Sequence, residues 1–176
     1  MEKLERPAYV WFRHARQGTV GQEGRLPPGW IQENWQSVAV DGTDPGPDGP
    51  SISITASFDA ENEQKFYSLV LGDYIPVSSD DLLVMRFELS VQSAHNISHA
   101  YVVMREWIQG GTFVGQATRS IAMRKDNAAA IVGRAASGED RVFQLLLTFQ
   151  RAGSGAGEVS FTLTRLSVGS LYKDLI

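Results

Sequence analysis

Residues 143–163 read FQLLLTFQRAGSGAGEVSFTL, and the spacing of their apolar side chains decides the class of fold. Phe143, Leu145, Leu147 and Phe149 fall on every second position, as do Val159, Phe161 and Leu163 beyond a loop of glycine, serine and alanine. Side chains of a strand point to opposite faces in turn, so each run buries one face. Two such runs joined by a short turn-forming loop predict neighbouring, paired strands that close the chain.

The same period of two recurs upstream. Ile52, Ile54, Ala56 and Phe58 alternate with Ser51, Ser53, Thr55 and Ser57, while Leu83, Met85, Phe87, Leu89 and Val91 alternate with Val84, Arg86, Glu88 and Ser90. Shorter strands are expected over 35–40 and 66–71, and loops over 41–50 and 72–81, where prolines and glycines favour turns. Residues 100–108 are apolar on both parities, with Val102, Met104 and Ile108 assigned to the core and Tyr101, Val103, Arg105 and Trp107 to the other face. Gln109-Gly110-Gly111-Thr112 predicts a hairpin turn into 113–123. The alanines of 127–136 predict a short helix, although Gly133 disfavours it. The sum is an all-β, antiparallel sandwich of about nine strands over residues 31–176. Residues 1–30 hold Tyr9, Trp11 and Phe12 and end in Leu26-Pro27-Pro28-Gly29-Trp30, which predicts an irregular segment that attaches by its aromatics.

A chain of 176 residues suits one domain, which buries roughly 70% of its extended surface on folding. The absence of cysteine removes thiol nucleophiles, disulfides and thiolate zinc sites. Sixteen basic and twenty acidic residues, interspersed to a net charge of −4, argue against a nucleic-acid partner. No apolar stretch approaches the ~20 residues of a membrane span, so no membrane insertion is expected. The opening residues lack the basic and apolar regions of a secretory signal, so release by lysis or assembly into a particle is the expected route.

The motifs of enzymes are missing: there is no GxSxG, HExxH, P-loop or dinucleotide signature, and Gly18, Gly21 and Gly24 lack a strand-to-helix setting. His95 and His99 would share one face of a helix, but they lie between two ladders, where they are ~13 Å apart if extended. Asp41, Asp44 and Asp48 offer oxygen ligands for a structural calcium, with a solvated turn as the alternative; no other cofactor is expected. Glu88 and Glu106 sit on strands expected to be neighbours, but their parity turns them to opposite sides, which disfavours a glycosidase pair.

A polar sheet face is more suggestive. If the ladders over 83–91 and 102–108 are neighbours, the face opposite the core gathers Arg86, Glu88, Tyr101, Arg105 and Trp107. Aromatic rings cover the C–H surfaces of sugars while charged and amide groups hydrogen-bond the hydroxyls. The alternative is that these aromatics pack against a partner subunit.

Two resemblances bear on that choice. Gly29-Trp30, Gly46-Pro47-Asp48-Gly49, the run from Tyr101 to Gly111, and Gly157 before Val159 to Leu166 follow an order that resembles jelly-roll carbohydrate-binding modules. Phe12-Arg13-His14-Ala15-Arg16-Gln17-Gly18-Thr19-Val20 with Leu26-Pro27-Pro28-Gly29-Trp30, then Val103-Met104-Arg105-Glu106 with Gly110-Gly111, then Leu163-Thr164-Arg165-Leu166-Ser167-Val168-Gly169, are more closely similar to domains of bacteriophage and prophage particles of alphaproteobacteria, including gene transfer agents. The resemblance implies a jelly roll in a fibre, spike or tail component, on the surface of a virion or phage-like particle. It implies host cell-surface polysaccharide, other particle proteins and a homo-oligomer as partners, and no catalysis. A purely structural particle protein and a polysaccharide-degrading enzyme are the rival expectations.

Overall fold

The computed structural model describes residues 24–44, 51–79 and 81–172, with side chains described as far as residue 169. Eleven strands and no helix occur among them: β1 (Ile31–Glu33), β2 (Ser37–Asp44), β3 (Ser51–Phe58), β4 (Phe66–Val70), β5 (Ile75–Val77), β6 (Asp81–His95), β7 (Ile97–Ile108), β8 (Thr112–Ile121), β9 (Ala128–Ala135), β10 (Arg141–Arg151) and β11 (Gly157–Tyr172). One sheet runs β2-β3-β11-β6-β9; the other runs β1-β4-β10-β7-β8, with β5 also pairing β10. All described pairs are antiparallel. The expected antiparallel sandwich is therefore present, built from more strands than the ladders suggest. Of the segment 1–30, residues 1–23 lie outside the described residues, while Leu26 and Trp30 pack against the core.

The core is assembled by the period of two. Ile52, Ile54, Ala56 and Phe58 of β3, Leu83 to Val91 of β6 at every second position, and Val159, Phe161 and Leu163 of β11 face Tyr67 and Leu69 of β4, Val102 and Met104 of β7, and Phe143, Leu145, Leu147 and Phe149 of β10. Near one end the rings of Trp35, Phe58, Tyr67, Phe149 and Phe161 cluster, with Phe58 stacked on Tyr67 at 4.1 Å. Gly157 belongs to this cluster. A Cβ there would lie 2.2 Å from the Phe58 ring, so Gly157→Ala is expected to cost about 1–3 kcal/mol by overpacking. An unchanged denaturation midpoint would show that the ring can move aside.

Several expectations are corrected. The two closing ladders are not paired: β10 pairs β4, β5 and β7, whereas β11 pairs β3 and β6. Residues 152–156 carry the chain from one sheet to the other, so Phe149 and Phe161 meet across the core at 5.2 Å. Alternation shows that a strand buries one face and does not name its neighbour. The β6 to β7 passage likewise changes sheet, at Asn96, whose φ of 55° makes the corner. The two crossings are stitched together: the Asn96 amide donates to the Gly155 carbonyl at 2.9 Å and accepts the Gly153 N–H at 2.8 Å. Arg151 donates to Gly153 and Gly155 carbonyls at 2.6 and 2.7 Å.

The expected helix over 127–136 is strand β9, paired along Leu82 to Leu89 of β6. Ala128, Ala130 and Val132 point inward while Ile131 is exposed, so pairing and burial override the helix preference of alanine. Ile108, assigned to the core, is 38% exposed because it lies at the hairpin tip beyond the apolar layer. The loop expected over 41–50 is strand as far as Asp44, and that over 72–81 contains β5. The turn at Gly110 and Gly111 is as expected, with φ of 112° and 113°; these are left-handed values that favour glycine.

Candidate functional site

Because β6 and β7 belong to different sheets, the five residues expected on one face divide between two. Arg86 and Glu88 lie on the outer face of the β2-β3-β11-β6-β9 sheet; Tyr101, Arg105 and Trp107 lie on the outer face of the other. The sandwich core separates them.

The first of these faces satisfies itself. Arg86 donates to Glu88 at 2.8 and 3.1 Å, and Arg165 approaches the same carboxylate at 3.6 Å. Asn127 donates to its second oxygen at 3.0 Å. Hydroxyls pair across strands, Ser53 with Thr162 and Thr55 with Ser160, each at 2.8 Å. The Thr55 hydroxyl also donates to Asp41 at 2.5 Å, which places Asp41 in the strand ladder and not in an open loop. Asp44 ends β2, and Asp48 lies outside the described residues. Among the described residues no three His, Asp or Glu side chains gather to hold a metal, and His95 and His99 sit on either side of the Asn96 corner.

The second face is different in kind. Antiparallel partners share a face, so the registers define rows across the sheet: Glu33, Ser68, Thr148, Tyr101 and Ser120; then Ile31, Val70, Leu146, Val103 and Thr118; then Gln144, Arg105 and Gln116; then Val142, Trp107 and Phe113. Val70, Val103 and Leu146 form a small buried apolar strip with Tyr101 packed on it. Arg105 donates to both oxygens of Glu33, at 3.0 and 3.1 Å. The pair therefore spans β10 and β4, a width of roughly 14 Å at the usual strand spacing. Tyr101 donates its hydroxyl to Gln150 at 3.0 Å, and its ring lies beside that of His99 at 6.1 Å with 20° between planes. Trp107 meets Phe113 edge-on at 5.3 Å. Two buried atoms on this face, Trp107 Nε1 and Gln144 Oε1, have no hydrogen-bond partner.

Sequence reasoning did not single out Gln144, Phe113 or His99 for this face. Gln144 is recognisable only once β10 and β7 are known to be adjacent, whereas Phe113 follows from the hairpin expected at Gly110-Gly111. Glu106 was weighed only as half of a carboxylate pair with Glu88. It has the parity of Val102 and Met104, and it is fully buried between the sheets, where Arg134 of β9 reaches it at 2.7 Å. The Ser137 N–H donates to it at 2.6 Å and Arg141 lies at 3.4 Å. Burial pushes the Glu106 carboxyl up, but the Ser137 hydrogen bonds and Arg134 outweigh it and hold the carboxyl below its ordinary value. Gly115, opposite Glu106, clears the path: a Cβ there would be 2.6 Å from Arg134 Nη2. A charge in phase with core positions was the signal available in the sequence. Glu106 lies between the two sheets and Glu88 on the outer face of the β2-β3-β11-β6-β9 sheet, so the two carboxylates do not face one another.

No family model and no curated protein matches the chain. Solved structures do resemble it. An arabinose-bound GH51 α-L-arabinofuranosidase superimposes with a TM-score of 0.54 at 10% identity over 81% of this chain and 23% of its own. A carbohydrate-binding module of the β-sandwich superfamily does so with a TM-score of 0.50 at 10% identity over 76% of this chain and 54% of its own. The active domain of tailspike protein 4 of bacteriophage CBA120 gives a TM-score of 0.49 at 12% identity over 82% of this chain and 20% of its own, too low to bear on the assignment. The chain thus spans about a fifth of the tailspike and arabinofuranosidase chains. At these identities the likeness establishes the β-sandwich fold.

Proposed function

We propose that this domain is a non-catalytic carbohydrate-binding module that holds an uncharged stretch of polysaccharide on the outer face of the β1-β4-β10-β7-β8 sheet. The observation that carries it is the contrast between the two outer faces. One pairs Arg86, Glu88 and several hydroxyls with one another, while the other sets Tyr101, Trp107 and Phe113 among amides and hydroxyls and leaves Trp107 Nε1 and Gln144 Oε1 unpartnered. Buried polar groups without partners are costly, so a side-chain shift that turned either one outward onto a ligand hydroxyl would be favoured. The only strong cation in those rows, Arg105, is already neutralised by Glu33, which favours a neutral chain over an acidic one. Arg86 and Glu88 are left out of the site by their position on the other sheet.

Binding of the purified protein to host cell-surface polysaccharide and to neutral polysaccharides tests this. Tyr101→Ala and Trp107→Ala are each expected to weaken binding about 10- to 100-fold, and Arg86→Ala to leave it unchanged. Binding should be insensitive to ionic strength. Equal losses for Arg86→Ala and Tyr101→Ala would reject the face, and release of reducing ends from the polysaccharide would reject the non-catalytic reading.

A place on the surface of a phage-like particle, with other particle proteins or further copies as neighbours, is supported by the sequence resemblance alone. A second reading is favoured by the exposed Ile31, Ile108, Phe113 and Val114, which border the same sheet: the face joins subunits of the particle. Trp107→Ala would then change the state of assembly and leave polysaccharide retention, if any, as it was.

A further inference from the structure

Past the Ala100–Ile121 pair, the β7 and β8 chains diverge. Residues 122–124 leave for the opposite sheet, where the Arg124 carbonyl accepts the Val91 N–H at 2.8 Å. The divergence opens a cleft of about 320 Å³ lined by Ser98, His99, Ala100, Ser120, Ile121, Ala122 and Met123. That volume lies at the small end of the range for ligand sites, roughly 300–1,000 Å³. Its lining is divided by chemistry. Ala100 and Ile121 are buried and form an apolar floor, with Met123 half-buried against the core. Ser120 and His99 are exposed, and neither side chain hydrogen-bonds another described residue. Ser98 donates to the Gln150 carbonyl at 3.3 Å and keeps its oxygen free to accept. The cleft is continuous with the outer face, because Ser120 is opposite Tyr101 and the His99 and Tyr101 rings lie side by side.

An occupant must therefore present an apolar end to Ala100, Ile121 and Met123 and polar groups to Ser98, His99 and Ser120. A pyranose with only hydroxyl-bearing substituents offers C–H faces to a flat ring but no projecting apolar group for such a floor. We infer that this cleft is a subsite for one sugar ring carrying a methyl group, as in an acetamido sugar or a 6-deoxy sugar, with the methyl directed at Met123. The assignment of the cleft to a sugar rests on the carbohydrate reading of the neighbouring face; the methyl requirement comes from the cleft itself.

The test uses the whole chain with methyl-labelled methionine and alanine, titrated by nuclear magnetic resonance with N-acetylglucosamine, fucose and glucose. N-acetylglucosamine, fucose or both are expected to shift the Met123 methyl in a saturable way, with glucose weaker by about tenfold or more, the usual worth of one apolar group in a pocket. The arms distinguish acetamido from deoxy methyls. Ala122→Trp, at an exposed position on the rim, fills the cleft and should abolish these shifts. Saturable shifts that glucose matches, shifts that survive Ala122→Trp, or no shift with any of the three sugars would each overturn the inference. If the monosaccharides enter while Tyr101→Ala does not alter polysaccharide retention, the subsite is supported and the reading of the broad face fails on its own.

Discussion

Arg134→Met is expected to lower the unfolding free energy by about 3 kcal/mol at neutral pH, the low end of what breaking a buried ion pair costs. Arg134 is the closest charged partner of a carboxylate that is fully buried between the sheets. Removing it leaves Glu106 with the Ser137 N–H and with Arg141 at 3.4 Å, which is why the loss is set at the low end. The dependence on pH separates this mechanism from a plain loss of packing. In the parent protein the Glu106 carboxyl is held below its ordinary value. Its contribution is therefore present above the unfolded-state value of about 4.3 and is lost as pH falls through the lower folded value. Without Arg134 the folded value rises from that of the parent, and the destabilisation is relieved as the carboxyl takes up a proton. Urea unfolding at about pH 7 and about pH 4 should show the gap between variant and parent narrowing with acid. An equal gap at both would reject the electrostatic account.

Phe161→Ala is expected to cost about 3–5 kcal/mol, the range for truncating a buried aromatic ring. Phe161 stands on β11, second from neither edge, and is fully buried against Phe149 from the opposite sheet. Both faces of the void are walled by strands, so the site has little freedom to collapse. Since the two rings touch across the core, Phe149→Ala and Phe161→Ala should not add. A coupling of about 0.5–1.5 kcal/mol is expected from a double-mutant cycle, and strict additivity would place the rings out of contact.

This pair of rings also shows how far the sequence reaches. The ladders over 143–149 and 159–163 identified which side chains are core, and every one of them is buried. They did not identify which strands are neighbours, because the period of two reports only the face a side chain takes. A five-residue connection can close a hairpin or cross between sheets, and here Asn96 and Arg151 hold it in the second form. The same limit divided the expected site. Tyr101, Arg105 and Trp107 were legible as one face of β7, because they share a strand. Arg86 and Glu88 were joined to them through an adjacency that the Asn96 corner removes.

The alternating sequence thus determined by itself that this protein is an antiparallel sandwich and which residues of its long ladders fill it, since burial of apolar side chains acts on each strand locally. Only the tertiary structure decided the partners: that Gln144 joins Tyr101 and Trp107, and that Glu106 faces Arg134 inside. Those contacts link residues far apart in the chain, and they depend on hydrogen-bond register and on where the chain changes sheet.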